Sequence, residues 1–503
     1  MDKDQAYGEL LQRVTEHALL GSCASVLGWD ERTYMPRNGS AHRAEQMALL
    51  ARLTHEMATA PRIGELLDEV KDHPQVLLKD SRHAANVREL RRGYERAVKL
   101  PKELVEELAR VTTRAQQAWQ EARQADDFAA FRPWLEKVVA LKRQEAQAIG
   151  YKESPYDALL DEYEPGATTQ EISHVFAELR KDLVPLIGAI AASGRKPKRD
   201  ILQREYPVNR QEVFGRDAAT AIGFDFQSGR LDVTTHPFCS GMGPGDCRIT
   251  TRYNPRHFNE ALFGILHEAG HAIYEQGLDA EQFGTPVGSA CSLGIHESQS
   301  RMWENQVGRS RPFWDHFFPK VQQAFPEALG DVQLDDWVFA VNDVQPSFIR
   351  VEADEATYNM HIILRFELEQ ALISGDLQPA DVPGAWNEKF TKSFNLTPPS
   401  NKLGCLQDIH WSMGGIGYFP TYTLGNLYAA QFMEQARQDL GDLDGALRRG
   451  EFSGLKGWLN EKIHQPGQRW RAGDLCQRVT GRPLSHKPLL QYLHAKYAPL
   501  YGI

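Results

Sequence analysis

Residues 254–277 limit the possible folds of this chain more than any other segment. Asn254 is a typical N-cap, Pro255 suits a first helical position and Gly277 suits a helix end. Between them, apolar residues recur every three or four positions, which is the spacing of one helix face: Phe258, Leu262, Ile265, Ala269 and Ile273. The segment therefore predicts a long amphipathic helix.

The same helix carries the pattern His267-Glu268-x-x-His271. Residues at i and i+4 lie one above the other, so both imidazoles can bind one ion. Glu268 projects about 100° around the helix axis, close enough to accept a proton from a water on that ion. Two neutral imidazoles, one carboxylate and one open position suit zinc, with cobalt or manganese as alternatives.

A third protein ligand has to come from another element. Glu275 lies two turns along the same helix, about 12 Å away, which is too far. The next predicted helix has Ser292 as its cap and offers three candidates: His296, Glu297 and Glu304. Chemistry favours Glu297, since two histidines and one glutamate form a common hydrolase set, but all three stay open. The structural alternative for Glu297 is an ion pair with Arg301 at i+4.

Composition describes a large folded protein with an ordinary surface. The chain has 503 residues, 42% of them apolar and 25% charged, and a net charge of −10, which argues against a nucleic-acid binder. No apolar run approaches the ~20 residues that span a membrane, and the start lacks a signal peptide. Six scattered cysteines without a C-x-x-C pair predict reduced thiols and a cytoplasmic protein.

Most of the remaining sequence predicts helices. Pro101 precedes an apolar stripe at helical spacing, and Thr168 and Glu171 form a capping-box pattern. Two strands are predicted, 230–238 and 248–253, joined by turn residues into a small hairpin.

No Pro/Ser-rich linker divides the sequence. We therefore predict a mainly α fold with one helical domain over residues 1–503, whose finer arrangement is two lobes flanking a groove.

Six ordered motifs resemble those of one enzyme family, the thermostable carboxypeptidases of the Taq type, which are zinc-dependent metallocarboxypeptidases. In this sequence they are His236-Pro-Phe238, Asp246-x-Arg248-x-Thr250, His267-Glu-x-x-His271, His296-Glu-Ser-Gln299, Ile349-Arg350-x-x-Ala353-Asp354 and Gly404-x-x-Gln407-Asp408-x-His410-Trp411. The resemblance extends over most of the chain. It implies Glu297 as third ligand, a bilobed helical fold with a deep substrate groove similar to neurolysin-like peptidases, a small sheet near the active site, and a homodimer.

A carboxypeptidase has to recognise a free C-terminal carboxylate, and arginine suits this through its two-pronged guanidinium. Arg350 is the first candidate; its structural alternative is an ion pair with Asp354 at i+4. Arg248 is the competitor, with Asp246 as its orienting partner. His236, which precedes a proline, is a further candidate for substrate contact.

His410 and Tyr418 are candidate donors to the oxyanion that develops during peptide hydrolysis. Asp408 is a candidate carboxylate for orienting a zinc histidine.

These residues together predict release of single C-terminal amino acids from peptides by metal-activated water, with Glu268 as general base. Three other functions stay open: a zinc endo-oligopeptidase with the same site, an aminopeptidase, and a helical binding protein without catalysis. An intact Glu268 argues against the binding protein. The sequence has no evident acidic stretch that would hold a substrate amine, which argues against the aminopeptidase.

Overall fold

Several helices begin at side-chain caps that the sequence provides, in a computed structural model that describes residues 2–503. The predicted capping box forms: Thr168 Oγ1 accepts from the Glu171 backbone N–H at 3.2 Å, and the Glu171 carboxylate accepts from the Thr168 N–H. Pro101 is the N-cap of a helix whose stripe residues Leu104, Val111 and Ala115 are buried. Both predicted helices are confirmed.

The described residues form α-helices, numbered α1 to α22 in chain order: Lys3–Thr33, Ser40–Ala58, Pro61–Val70, Pro74–Leu77, Arg82–Lys99, Lys102–Ala125, Phe128–Ile149, Pro155–Leu160, Thr169–Ala192, Val208–Ile222, Phe258–Gly277, Leu293–Arg301, Arg311–Ala324, Pro326–Leu329, Leu334–Ala340, Tyr358–Ser374, Val382–Phe394, Pro420–Leu440, Leu443–Arg449, Ser453–Leu459, Ala472–Thr480 and Lys487–Tyr501. Two π-helical turns follow α12 and α20, at Met302–Val307 and Asn460–His464. Short 3-10 turns lie at Arg37–Gly39, Arg199–Gln203, Ala280–Gln282, Pro286–Gly288, Arg350–Glu352, Pro379–Asp381 and Gly467–Arg469.

Three short strands form one sheet in the order β1-β3-β2, with β1 Gly229–Val233, β2 Cys239–Gly243 and β3 Asp246–Thr251. β1 and β3 are parallel, and β2 and β3 form the hairpin. The predicted pairing was therefore wrong, because the stretch taken as a turn contains a strand. The reversal needs only the residues around Gly243 and Gly245, whose φ angles of 141° and 82° suit glycine.

The chain forms two compact units, each built from three stretches. The first contains the chain up to Ala97, Pro197–Val341 and Tyr428–Pro483; the second contains Val98–Lys196, Asn342–Leu427 and Leu484–Ile503. Aromatic rings fill both cores. Those of the first include Phe214, Phe258, Phe317 and Trp337; those of the second include Tyr156, Phe176, Phe366 and Trp386.

The mainly helical fold with a small sheet is confirmed. β2 and β3 pack against α11, the helix of the metal-binding pattern. All six cysteines are free thiols. Among residues 2–503, no helix combines the length and apolar character needed to cross a membrane.

Candidate metal centre and active-site groups

α11 carries the His-Glu-x-x-His pattern as predicted, but it begins at Phe258 rather than after Asn254. The Asn254 side chain accepts a hydrogen bond from the Arg256 backbone N–H at 3.0 Å. This local turn competes with helix formation, so the predicted cap position was wrong. Gly277 ends the helix as predicted.

Glu297 joins His267 and His271 to form a set of three metal-ligand candidates. One ligand atom from each lies within 4.8 Å of the other two. The Glu297 Oε2 atom is 3.4 Å from His271 Nε2 and 3.9 Å from His267 Nε2. Of the three candidates left open by the sequence, Glu297 is the one that the structure brings to both histidines. Ser292 caps its helix, α12, as predicted.

The second carboxylate oxygen of Glu297, Oε1, has a hydrogen-bond partner outside the ligand set. Arg301 donates to Oε1 at 2.7 Å, the i+4 pair considered from the sequence, while Oε2 faces the histidines. Two imidazole nitrogens and one carboxylate oxygen match the donor set of a catalytic divalent metal such as zinc. The residues present therefore fit a metal ion.

Gly270 allows α12 to approach α11 closely enough for Glu297 to reach the histidines. A Cβ atom at this position would lie 2.7 Å from both the Gln299 carbonyl oxygen and the Ser300 Cα. Both obstacles are backbone atoms, so no side-chain rotation would relieve the clash. Glycine inside the helix is therefore a packing requirement of the site.

Each histidine uses its Nδ1 atom for a partner outside the ligand set. His267 Nδ1 is 2.9 Å from Glu304 Oε2, on the π-helical turn after α12. Glu304 also accepts from Arg301 at 3.4 Å. His271 Nδ1 lies 2.6 Å from His296 Nδ1, and His296 Nε2 lies 2.8 Å from Glu275 Oε1. The sequence candidates His296 and Glu304 thus contact the ligands rather than join them.

Electrostatics in the cluster follow from burial and charge. Burial lowers the pKa of His271 to about 4. Burial also opposes a charge on His267, but Glu297 and Glu304 raise the pKa of that histidine to about 9. Burial favours a neutral Glu297, yet Arg301 and His267 hold its pKa well below the usual range. A bound cation would displace the proton from His267.

Glu268 lies in the same cluster but outside the ligand set. Its residue is only 7% exposed, and burial raises the pKa of the carboxyl to about 7. A general base works best when its pKa lies near the working pH. The environment of Glu268 therefore suits proton transfer.

A second polar cluster lies in the second unit. Arg350 donates to Asp408 Oδ1 through Nε at 3.0 Å and Nη2 at 2.7 Å, and through Nη1 to the Tyr358 hydroxyl at 2.8 Å. Arg365 donates to Asp408 Oδ2 at 2.7 Å. Burial disfavours the Asp408 carboxylate, but the two arginines hold its pKa far below the usual range.

Two alternatives drawn from the sequence were wrong here. Arg350 pairs with Asp408, not Asp354, because Asp354 accepts hydrogen bonds from Thr357 N–H at 2.9 Å and Oγ1 at 2.7 Å at the start of α16. Asp408 binds arginines, and the carboxylate that contacts a ligand histidine is Glu304.

His410 is buried beside aromatic rings in the second unit. Its Nε2 atom lies 3.1 Å from the Tyr422 hydroxyl, and the Tyr418 ring stands edge-on at a centroid distance of 5.3 Å. Burial lowers the pKa of His410 to about 3, so the imidazole is neutral. Tyr422 was missed by sequence reasoning, although it lies only four residues after Tyr418.

Arg248 and His236 lie in the first unit, on and beside the sheet. Arg248 donates twice to Asp246, at 2.8 and 2.7 Å, and its guanidinium lies 4.3 Å from the Trp29 ring centroid. The predicted contact between Asp246 and Arg248 is therefore present. His236 is exposed in the connection between β1 and β2.

Comparisons with known proteins show which family the chain is similar to. Residues 9–497 match the family model for Carboxypeptidase Taq (M32) metallopeptidase. The chain is 50% identical to thermostable carboxypeptidase 1 of Thermus thermophilus, over 100% of both chains. It is 40% identical to carboxypeptidase 1 of Bacillus subtilis, over 99% of this chain and 98% of that one.

The fold comparisons lead to the same family. The M32 carboxypeptidase from Deinococcus radiodurans R1 superposes with a TM-score of 0.96 at 42% identity, over 99% of this chain and 100% of that one. Metallocarboxypeptidase 1 of Trypanosoma cruzi gives 0.93 at 37% identity, over 98% and 99%. The resemblance inferred from the six motifs is confirmed: the chain belongs to the Carboxypeptidase Taq (M32) metallopeptidase family and is a metallocarboxypeptidase that hydrolyses peptides.

Proposed function

We propose that the protein binds Zn²⁺ through His267, His271 and Glu297 and releases one C-terminal amino acid from a peptide in each turnover. The observation that carries this proposal is the convergence of two Nε2 atoms and one Oε2 atom within 4.8 Å. The outer atoms of all three side chains are held by other groups, which leaves these three for the ion. Co²⁺ and Mn²⁺ are alternatives for the same donors.

Glu268 is the proposed general base. A bound divalent ion supplies Lewis acidity to the peptide carbonyl and lowers the pKa of a water. The Glu268 carboxylate accepts the proton of the attacking water and then delivers it to the leaving amine nitrogen. The buried position of Glu268 and its raised pKa support both transfers.

Arg350 is the proposed anchor for the substrate carboxylate. Arg350 and Arg365 share the single carboxylate of Asp408, so the three groups carry one excess positive charge. Burial raises the pKa of the neighbouring acid Glu369 to about 7, so this acid only partly offsets that excess. A buried cation of this kind favours an anionic ligand.

His410 and Tyr418 are the proposed donors to the oxyanion. The neutral His410 imidazole can donate one hydrogen bond, and among residues 2–503 its buried Nδ1 atom has no partner. Arg248, fixed by Asp246, and the exposed His236 are the proposed further contacts for the peptide.

Three further proposals concern the domain organisation, the cellular compartment and the oligomeric state of the protein. We propose that residues 1–503 act as one peptidase domain with a substrate groove, in a cytoplasmic homodimer. Six free thiols support a reducing compartment. Light scattering of the purified protein measures the oligomeric state, and metal analysis of the same sample identifies the ion.

The decisive experiment uses one peptide prepared as the free acid and as the C-terminal amide. Wild-type protein loaded with Zn²⁺ should shorten only the acid, one residue at a time, as followed by mass spectrometry. Glu268→Gln is the inactive control. Equal internal cleavage of both peptides would instead identify an endo-oligopeptidase.

A further inference from the structure

His271 is the only one of the two ligand histidines whose Nδ1 atom faces another histidine. Its Nδ1 lies 2.6 Å from His296 Nδ1, and the far side of the His296 ring reaches Glu275 Oε1 at 2.8 Å. We propose that His296 and Glu275 are positioning residues that fix the tautomer and the ring orientation of the metal ligand His271. This inference rests on the metal site proposed above.

Hydrogen-bond directions along this chain of groups follow from the carboxylate. An ionised Glu275 can only accept, so a neutral His296 places its one N–H on Nε2 and donates it to Glu275. The Nδ1 atom of His296 then carries a lone pair and accepts from His271 Nδ1–H. With its proton on Nδ1, His271 has its lone pair on Nε2, which is the atom facing Glu297. The Glu275 carboxylate thus fixes the tautomers of both His296 and His271.

The chain of hydrogen-bonded groups His271–His296–Glu275, called the relay from here on, is held in place by neighbouring residues on both sides. The His296 ring lies 4.7 Å from the His271 ring and 5.1 Å from the Tyr274 ring, centroid to centroid. On the far side, Gly241 of β2 closes over Glu275, since a Cβ atom at Gly241 would lie 2.7 Å from Glu275 Oε2. The sheet therefore limits where the Glu275 carboxylate can lie.

Loss of the Glu275 acceptor would release this constraint. Without an acceptor at 275, no group holds the proton of a neutral His296 on Nε2, so it can lie on Nδ1 and the His271 proton can lie on Nε2. That tautomer has no lone pair to offer at the ligand position. Outer partners of metal-bound histidines typically contribute about 10- to 100-fold in metal affinity.

The test measures metal affinity and not only activity. Zn²⁺ dissociation constants are determined by competition with a chromophoric chelator for wild type, His296→Leu, His296→Gln and Glu275→Leu, with the visible spectrum of each Co²⁺-loaded protein. We expect His296→Leu and Glu275→Leu, which remove the hydrogen-bonding group, to weaken Zn²⁺ binding by about 10- to 100-fold. Glutamine at 296 can accept from His271 and donate to Glu275, so His296→Gln should stay within about threefold of wild type.

Three controls separate the possible causes. Glu260→Gln changes another carboxylate of α11, paired with Arg252, and should leave the affinity unchanged. Melting temperatures of the metal-free variants reveal any general loss of folding. Glu297→Ala tests the proposed site itself: if it also binds Zn²⁺ normally, the metal site is wrong. If only Glu297→Ala weakens binding, or if His296→Gln is as weak as His296→Leu, the relay is wrong.

Discussion

The two buried polar clusters of this protein are built on opposite principles. In the first unit, two imidazole nitrogens and a carboxylate oxygen converge, and groups outside this set hold the other nitrogen of each imidazole. In the second unit, two guanidinium groups share one carboxylate. The first cluster concentrates electron-pair donors and suits a cation. The second holds an excess of positive charge and suits an anion.

In the proposed function, the two clusters serve two tasks of a carboxypeptidase, bond cleavage and recognition of the chain end. A change in the first cluster should affect every peptide alike. A change in the second should affect only peptides with a free carboxylate.

Glu268→Gln should lower kcat by about 10²- to 10⁴-fold, because the amide cannot accept the proton of the attacking water. The ligand set is untouched, so metal content should equal that of wild type. Steady-state kinetics and metal analysis of the same preparation give both quantities. Retention of more than a tenth of the activity would assign the base to another residue.

Arg350→Gln should lower kcat/KM for free-acid peptides by roughly 30- to 5,000-fold, because it removes the cation that binds the substrate carboxylate. This factor corresponds to about 2–5 kcal/mol of transition-state free energy. Residual activity on amides should not change. The matched control is Arg365→Gln, which removes the other guanidinium on Asp408. The control should mainly destabilise the protein. Equal loss of acid preference in both variants would assign recognition to the Asp408 network as a whole.

Metal removal should loosen the first unit and leave the second as it is. At an ion concentration 100 times the dissociation constant, binding stabilises the folded state by about 2.7 kcal/mol. Hydrogen–deuterium exchange should therefore increase in Phe258–Gly277 and Leu293–Arg301 after chelation, with no change in Tyr358–Ser374. A uniform increase along the chain would contradict the division into two independent clusters.

The smallest effect concerns His361, which is fully buried in the second unit beside Phe394. Burial and the nearby Arg365 place the folded-state pKa of His361 well below its ordinary value of 6.5. Between these values the unfolded chain binds a proton that the folded protein does not, so the free energy of unfolding decreases as pH falls below about 6.5.

His361→Leu removes this contribution, which amounts to at most about 1.4 kcal/mol per pH unit. The melting temperature of the variant should therefore fall less between pH 6.5 and 5 than that of wild type, by about 2–4 °C. His42→Leu, at an exposed position of α2, is the control and should keep the wild-type pH dependence. Parallel melting curves for His361→Leu and wild type would refute the argument.

Sequence reasoning succeeded where the controlling interactions are local. The capping box at Thr168, the cap at Ser292 and the histidine pair on α11 each depend on residues within a few positions of one another. Helical geometry alone relates such residues. The strand pairing failed because the parallel partner of β1 is the second strand of a hairpin whose first strand lies among the predicted turn residues.

The partners of the site residues were harder to predict because they are distant in the sequence. Glu304 reaches His267 across 37 positions, and Asp408 reaches Arg350 across 58. No helical or strand periodicity relates residues so far apart in the sequence. Their motifs mark them as candidate site residues but do not identify the residues that they contact. The i+4 pair of Glu297 and Arg301 was predictable, whereas the i+4 pair of Arg350 and Asp354 was excluded by the local cap at Asp354.

Gly270 has a consequence for how variation in such enzymes can be interpreted. The metal-binding pattern His-Glu-x-x-His specifies three of its five residues and allows any residue at the other two. In this chain the second of these two positions is Gly270, which the backbone of α12 restricts to glycine. A library that randomises this position should recover almost only glycine, although glycine has no side chain that could take part in catalysis. Conservation of a glycine at this position would then reflect the close packing of α11 against α12. It would not be evidence that the residue takes part in the chemistry.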